Sequence, residues 1–330
     1  MNLNNKVLFI THGGISIGGG HVSRCLAIAE AFGELKTDVM WLVDSETAAM
    51  LYGRNVSKDA IYILENIFTT EVKNVMDQIA KLLPSYCIID SYKIISKFIK
   101  NIRKICPVLL IDDCRTYPIE RESDSLLNYN IGADRLGYET NAAKLLIGPG
   151  FTPLKKAFWE LVPQQDGNIL IMPGASDLLD VSETILRWWS DEWSCAEIIV
   201  GPLVPSEKAR RLKENFSSRK NILVTYNPPI LPSLMAHSRM IICTSSVTCY
   251  EALSLKKPLG VFQVAKNQIG IGNEIMRQKL GYNLGFWGTW GRAELSKLIE
   301  TPPESIKHSI VNPKGAIEIA KYIIYYIDNN

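Results

Sequence analysis

Short runs made almost wholly of apolar residues recur along this chain, each followed by a longer amphipathic stretch, and this alternation limits the fold more than any other feature. In the first half the runs predict strands at 6–10, 38–43, 60–64, 86–90, 107–112 and 144–147. Helix-like pieces fall between them at 21–35, 45–53, 70–83 and 93–104. Strands that are apolar throughout have both faces covered, which means a parallel sheet with helices on each side. Residues 151–167 carry Pro153, Pro163 and the polar run Gln164-Gln165-Asp166-Gly167, a composition suited to a connector. The alternation then restarts, with strands expected at 168–173, 196–200, 221–225, 240–243 and 259–263. Helices are expected there at 178–190, 206–216, 230–236, 248–255, 268–280 and 293–299, and a last one at 314–327.

The fold class read from this pattern is α/β, as two Rossmann-like domains with parallel sheets facing a cleft. The first spans 1–150 and the second 168–313, while 314–330 packs back on the first domain. A chain of 330 residues is long enough for two cores of this kind. Its 36 basic and 34 acidic side chains leave a formal charge of +2, so no global field favours nucleic acid as a partner. Seven scattered cysteines with no C-x-x-C pair read as reduced, buried thiols, and four histidines without ligand spacing argue against a metal centre. No signal peptide or bilayer-length apolar segment is visible, so a cytoplasmic location is expected.

Candidate chemistry gathers at the ends of the expected strands, where open α/β sheets bind ligands. The first strand runs into a glycine loop that includes Ile15, Ser16, Gly18, Gly19 and Gly20, and then into His21 at the start of a helix. Glycine lets backbone N–H groups approach a phosphate or sugar, and an imidazole beside such a turn suits acid–base work. The plainer reading is a tight βα corner with His21 capping or packing. Asp90-Ser91-Tyr92 closes the fourth expected strand, where a carboxylate and a phenol would position a hydroxyl or help activate water, or else cap and pack. Asp112-Asp113 closes the next strand and is compatible with a simple loop.

In the second half Gly174-Ala175-Ser176-Asp177 reads as a phosphate or sugar turn through Ser176, with Asp177 as cap or ligand. Ser245, Ser246, Val247 and Thr248 follow strand 240–243 and offer hydroxyls and backbone N–H groups to a diphosphate. Glu251 lies three residues past Thr248, so it would close a capping box or accept hydrogen bonds from a ribose. Asn267 and Gln268, after the following strand, donate and accept at once and suit a polyol, or cap the next helix. No G-x-x-x-x-G-K-[ST] P-loop occurs.

The stretch Ile17 to Ala29 resembles the I-G-x-G-H-x-x-R-C-L-x-L-A opening of the UDP-sugar hydrolases of the pseudaminic acid pathway, relatives of MurG-type glycosyltransferases with the GT-B fold. Asp90-Ser91-Tyr92 is similar to that family's D-x-Y, Gly174 to Asp177 to its G-G-S-D, Ser245 to Glu251 to its G-S-T-V-x-E, and Asn267-Gln268 to its N-Q. The resemblance implies that the second domain holds UDP and that His21 activates water at the anomeric carbon. The bond would break with inversion, with no cofactor, on a UDP-linked 2,4-diacetamido-2,4,6-trideoxy sugar. Three departures stand out: Thr11-His12-Gly13-Gly14 replaces the family's R-x-D, Ala175 replaces a glycine of G-G-S-D, and Ser245-Ser246-Val247-Thr248 replaces its G-G-S-T turn. The same parts would build a GT-B glycosyltransferase using a UDP-sugar or CMP-nonulosonic acid, with His21 as base on an acceptor. Such a transferase would meet a membrane surface peripherally, and the mildly basic stretch 93–104 would be the contact.

Overall fold

The computed structural model describes residues 5–14, 17–68, 72–115, 118–164 and 166–330. Ile15 and Ser16 of the glycine loop, Thr70 and Glu71 at the expected start of the third helix, and Gln165 of the expected connector lie outside them. The chain divides into two compact units: Met1–Lys156 with Asn312–Asn330, and Ala157–Val311.

Unit 1 holds seven parallel strands: β1 (Lys6–Thr11), β2 (Asp38–Val43), β3 (Ile61–Ile63), β4 (Tyr86–Asp90), β5 (Val108–Ile111), β6 (Ser125–Asn128) and β7 (Lys144–Ile147). Their order across the sheet is β3-β2-β1-β4-β5-β6-β7. The order reverses between β1 and β4, which pair with Thr11 opposite Asp90, so the loops after these two strands leave the sheet side by side. Helices α1 (Gly20–Glu34), α2 (Ser45–Tyr52), α3 (Val72–Leu82) and α4 (Ser96–Ile102) cover the sheet. Val22, Cys25, Ile28 and Ala31 recur every third residue of α1 and are fully buried, while Phe32 meets Phe9 edge-on at 6.2 Å. Phe9 in turn stacks on Trp41 at 4.6 Å.

Unit 2 has six parallel strands: β8 (Ile169–Met172), β9 (Ala196–Val200), β10 (Ile222–Tyr226), β11 (Met240–Thr244), β12 (Leu259–Gln263) and β13 (Tyr282–Phe286). The order β10-β9-β8-β11-β12-β13 reverses between β8 and β11. Its helices are α5 (Val181–Trp188), α6 (Ser206–Asn215), α7 (Leu231–His237), α8 (Val247–Ser254), α9 (Ile269–Arg277) and α10 (Arg292–Glu300). The final helix, α11 (Gly315–Asn329), belongs to unit 1, where it packs on α1. Gly315 lets the start of α11 lie against the 150–152 backbone, since a Cβ there would come 2.5 Å from the Thr152 carbonyl oxygen. No described helix is long and apolar enough to cross a membrane.

Two strands, β6 and β13, are absent from the pattern read off the sequence, and the helix expected at 93–104 shortens to α4. The division between units falls inside the expected connector, at Lys156/Ala157. Lys156 is tied to α1 of unit 1, its N–H donating to Glu30 at 2.8 Å and its ammonium pairing with Glu34. Gln164 is bound into unit 2, its N–H donating to the Ala236 carbonyl at 2.7 Å. The fully buried Lys257 ammonium donates to the carbonyls of Gln164, Ala236 (2.6 Å) and Ser238 (2.7 Å), one acceptor for each N–H. Lys257→Met keeps the volume but takes the ammonium from the Gln164 and Ser238 carbonyls, while that of Ala236 keeps the Gln164 N–H. The expected cost is about 2–3 kcal/mol, to be read as an earlier unit 2 transition in thermal unfolding.

Candidate functional site

In unit 1 the corner between β1 and α1 is tightened by glycine. Gly18 takes φ +85° and exchanges two backbone hydrogen bonds with Gly14, of 2.7 and 3.2 Å. Gly13 sits where a Cβ would come within 2.6 Å of Val22. Gly19 is the N-cap and Gly20 the first residue of α1, so no side chain caps the helix. His21 therefore occupies the second helical position, 6% exposed. Its Nδ1 lies 2.7 Å from Asp90 Oδ1. Arg24 Nη2, a donor only, also lies 3.0 Å from Nδ1, but it donates to Asp90 Oδ1 at 2.5 Å. The shorter contact of Nδ1 to the carboxylate favours the proton on Nδ1 and the lone pair on Nε2.

Arg24 stands one turn further along the same helix face as His21. Its Nε and Nη2 grip Asp90 at 2.6 and 2.5 Å, and its Nη1 donates to Asp113 at 2.8 Å and to the Tyr129 hydroxyl at 3.3 Å. Burial opposes ionisation of Asp90, but Arg24 and then His21 outweigh it and hold the carboxyl well below its usual range. The Cys25 thiol, 3.6 Å from Asp90, is pushed up by burial and by that negative neighbour, so it is inert. Burial also raises the Tyr129 phenol to about 12. Tyr92 meets the His21 ring edge-on at 4.6 Å, and its hydroxyl donates to Asp113 Oδ2 at 2.5 Å.

On its other side His21 stacks on His12, with ring centres 4.9 Å apart. His12 is 2% exposed, and among the described residues its Nδ1 finds no hydrogen-bond partner. Burial, then repulsion from His21, lowers His12 from 6.5 to about 4. Between those values the unfolded chain holds a proton that the folded chain lacks, so stability falls as pH falls from 6.5 to about 4. His12→Phe keeps a ring in the stack and removes the titration. Denaturant unfolding at about pH 7 and about pH 4.5 should show the variant gaining about 2 kcal/mol relative to wild type at the lower pH. An equal acid loss in both proteins would put the effect elsewhere.

The structure thus brings His21, Asp90 and Tyr92 together, and Gly18, Gly19 and Gly20 form the corner that carries them. The sequence reading left Arg24 without a role and passed over His12. Arg24's spacing from His21 was the available signal; its partners lie 66 and 89 residues away. Asp113 joins the site, whereas its neighbour Asp112 holds a turn through the Arg115 N–H and accepts from Tyr138.

In unit 2 the loops after β8 and β11 leave the sheet at its reversal point. Ser245 is fully buried, its hydroxyl engaged with the Phe262 carbonyl (3.3 Å) and the Gln263 amide (3.0 Å). It braces the turn, with no hydroxyl left to offer a ligand. Ser246 is the N-cap of α8 in extended conformation; its hydroxyl pairs with Thr244 at 3.0 Å and does not cap the helix. Val247 and Thr248 form the first turn, which has neither a side-chain cap nor an acidic residue. Glu251 is the fifth helical residue, so the capping-box reading fails: the N-cap is Ser246, not Thr248. Ser176 sits half-buried in the loop after β8, where Asp177 caps α5 through the Val181 and Ser182 N–H groups at 2.9 and 3.2 Å. Gln268 accepts from the Val264 N–H at 2.9 Å, bracing its own loop, while Asn267 is exposed. Gln263, missed in the sequence, ties Ser245 to Asn283 across three adjacent strands. Among the described residues no group of three or more His, Cys, Asp and Glu is placed to hold a metal ion.

The two sheets, each parallel and each reversing order once, are matched nearly end to end in solved structures. MurG of Acinetobacter baumannii superposes with a TM-score of 0.64 at 12% identity, covering 98% of both chains. The chain has a GT-B-like fold. UDP-GlcNAc 2-epimerases share the GT-B-like architecture. The one from Neisseria meningitidis, described as bound to UDP-GlcNAc, gives 0.61 at 16% identity over 98% of this chain and all 100% of that one. The one from Methanocaldococcus jannaschii gives 0.60 at 15%, over 97% and 99%. No protein-family model matches the chain. The uncharacterized protein MJ1062 of M. jannaschii is 23% identical over 272 residues, 78% of this chain. The chain spans only 55% of that protein's length.

Proposed function

We propose that this chain hydrolyses a UDP-linked 2,4-diacetamido-2,4,6-trideoxy sugar at the anomeric carbon, with inversion, releasing UDP and the free sugar. The observation that carries the reading is the His21 imidazole, oriented through Nδ1 by a buried, ionised Asp90 so that Nε2 is left basic. A base held this way takes a proton from water as the oxygen attacks. In unit 2 the uncapped first turn of α8 offers backbone N–H groups and the positive end of a helix dipole to the departing diphosphate. Glu251 is the candidate acceptor for the ribose hydroxyls, and Ser176, Val247 and Thr248 are candidates for the diphosphate. Nucleotide sugars recur among the fold's neighbours: the N. meningitidis epimerase is described with UDP-GlcNAc and Staphylococcus aureus MnaA with UDP. The sugar class itself rests on the motif order from His21 to Gln268.

The test is UDP release, without acceptor, from a panel of UDP-diacetamido sugars, UDP-GlcNAc and CMP-nonulosonic acids, with the product anomer read by NMR. Release from a UDP-diacetamido sugar with inversion supports the proposal. Nucleotide binding with no release until an alcohol acceptor is added would replace it with the glycosyltransferase reading. Epimerised UDP-GlcNAc as the product would replace both.

A further inference from the structure

We infer, on the reading above that unit 2 holds UDP, that Gln263 is a positioning residue for the diphosphate: it carries the geometry of a bulge in β13 through Ser245 to the turn that begins α8. β12 and β13 pair in step as far as Val261 and Asn283, after which Phe262 falls opposite Gly285 and Leu284 is left as the extra residue. Gly285 takes φ +102°, a conformation that favours glycine, and its N–H donates to Asn283 Oδ1 at 3.0 Å. That N–H identifies Oδ1 as oxygen, so the Gln263 amide atom 2.8 Å from it is the nitrogen. The same Nε2 reaches Ser245 Oγ at 3.0 Å, which commits its second hydrogen. Ser245 accepts there and donates to the Phe262 carbonyl at 3.3 Å, a group that can only accept. Every hydrogen from Gly285 to Phe262 therefore has one direction.

Gln263 is 2% exposed and Ser245 is fully buried. α9 closes over both: a Cβ on Gly272 would run into Gln263 Nε2 and lie 3.0 Å from Ser245 Oγ. So tight a cover leaves little room for water to stand in for the amide. Ser245 is also tied to the Phe262 carbonyl through its N–H, at 2.8 Å, and the next residue, Ser246, is the N-cap of α8. Whatever sets Ser245 thus sets where Val247 and Thr248, the uncapped first turn, present their N–H groups. The pull of a helix end on an anion fades within about one turn, so a small displacement there weakens the grip on phosphate. The nucleoside's own contacts are left as they were. Asn283 stands two strands away from β11, and its influence on the diphosphate travels through Gln263.

The experiment compares the dissociation constants of UDP and uridine for the full chain, in wild type, Gln263→Met, Asn283→Leu, Asn283→Asp and the Gln263→Met/Asn283→Leu double variant. Gln263→Met should weaken UDP about tenfold, the effect of one well-placed hydrogen bond, while uridine stays within about twofold. Asn283→Leu should weaken UDP about threefold, and Asn283→Asp, which keeps an oxygen for Gly285 and Gln263, should bind it as wild type does. The double variant should match Gln263→Met alone, as expected of a residue that acts only through the glutamine. Unchanged UDP affinity in a folded Gln263→Met overturns the inference, and so does uridine weakened as much as UDP, the mark of a general loosening of unit 2. Wild-type UDP affinity in Asn283→Leu, or its loss in Asn283→Asp, overturns the role of the β13 bulge. Should Gln263→Met fail to fold, the two Asn283 variants decide alone. Wild type that binds no UDP fails the nucleotide reading itself and takes the inference with it, a different result from an equal loss of UDP and uridine.

Discussion

His21→Gln should lower kcat for UDP release about a thousandfold, within the range general-base residues contribute, while the protein stays folded. Glutamine keeps a planar polar group that can still reach Asp90, so the Asp90–Arg24 fork of 2.5 and 2.6 Å keeps its partners. What is lost is a nitrogen able to hold the proton taken from water. A base-only role predicts that KM changes far less than kcat, since water activation belongs to the transition state. A variant with wild-type kcat and an unaltered melting curve would remove His21 from the chemistry. Asp90→Asn is the less clean experiment, because Asp90 also accepts from Arg24 and Cys25.

Arg24→Met should cost unit 1 about 3–5 kcal/mol, the usual result of leaving buried charge without its partner. Two carboxylates depend on this guanidinium: Asp90, which is fully buried, and Asp113, whose side chain is 12% exposed. The sign with pH follows from Asp90, whose folded carboxyl lies below its ordinary 3.8. Its stabilising contribution is present above 3.8 and is lost as pH falls toward the folded value. In the variant the buried Asp90 relieves its charge by binding a proton, so the gap between the proteins should narrow in acid. Denaturant unfolding of both across about pH 3–7, following the unit 1 transition, checks size and slope together. A loss below about 1 kcal/mol at neutral pH would mean that water or another cation reaches these carboxylates.

Alternation made most of the fold legible, because strands such as Lys6–Thr11 or Met240–Thr244 are buried on both faces and must be apolar. The two strands it missed break that rule for physical reasons. Ser125–Asn128 has only two apolar residues, and Ser125 is spoken for by the Tyr86 hydroxyl. Tyr282–Phe286 carries Asn283, which accepts from Gln263, and Gly285 at φ +102°. The site was legible where chemistry is written locally: His21 behind its glycines, Asp90 and Tyr92 two residues apart. It was not legible where partners meet only through the sheet, as Arg24 meets Asp113. Nor could the sequence separate Ser245 from Ser246, since burial alone decides that the first braces the turn while the second begins the helix.

Because α11 completes unit 1, the order of synthesis and the order of folding differ in this chain. A ribosome delivers Met1–Lys156 ahead of unit 2, yet the surface of α1 that α11 covers stays bare until all of unit 2 and then Gly315–Asn329 have emerged. Unit 2, contiguous in sequence, is free to fold in the interval. The nascent first unit therefore waits half-finished beside a growing neighbour, and it is the stage at which a chaperone would find the most exposed apolar helix. A fragment cut after Lys156 would carry the His21 corner without the helix that closes its hydrophobic side, whereas one spanning Ala157–Val311 would keep its own core whole.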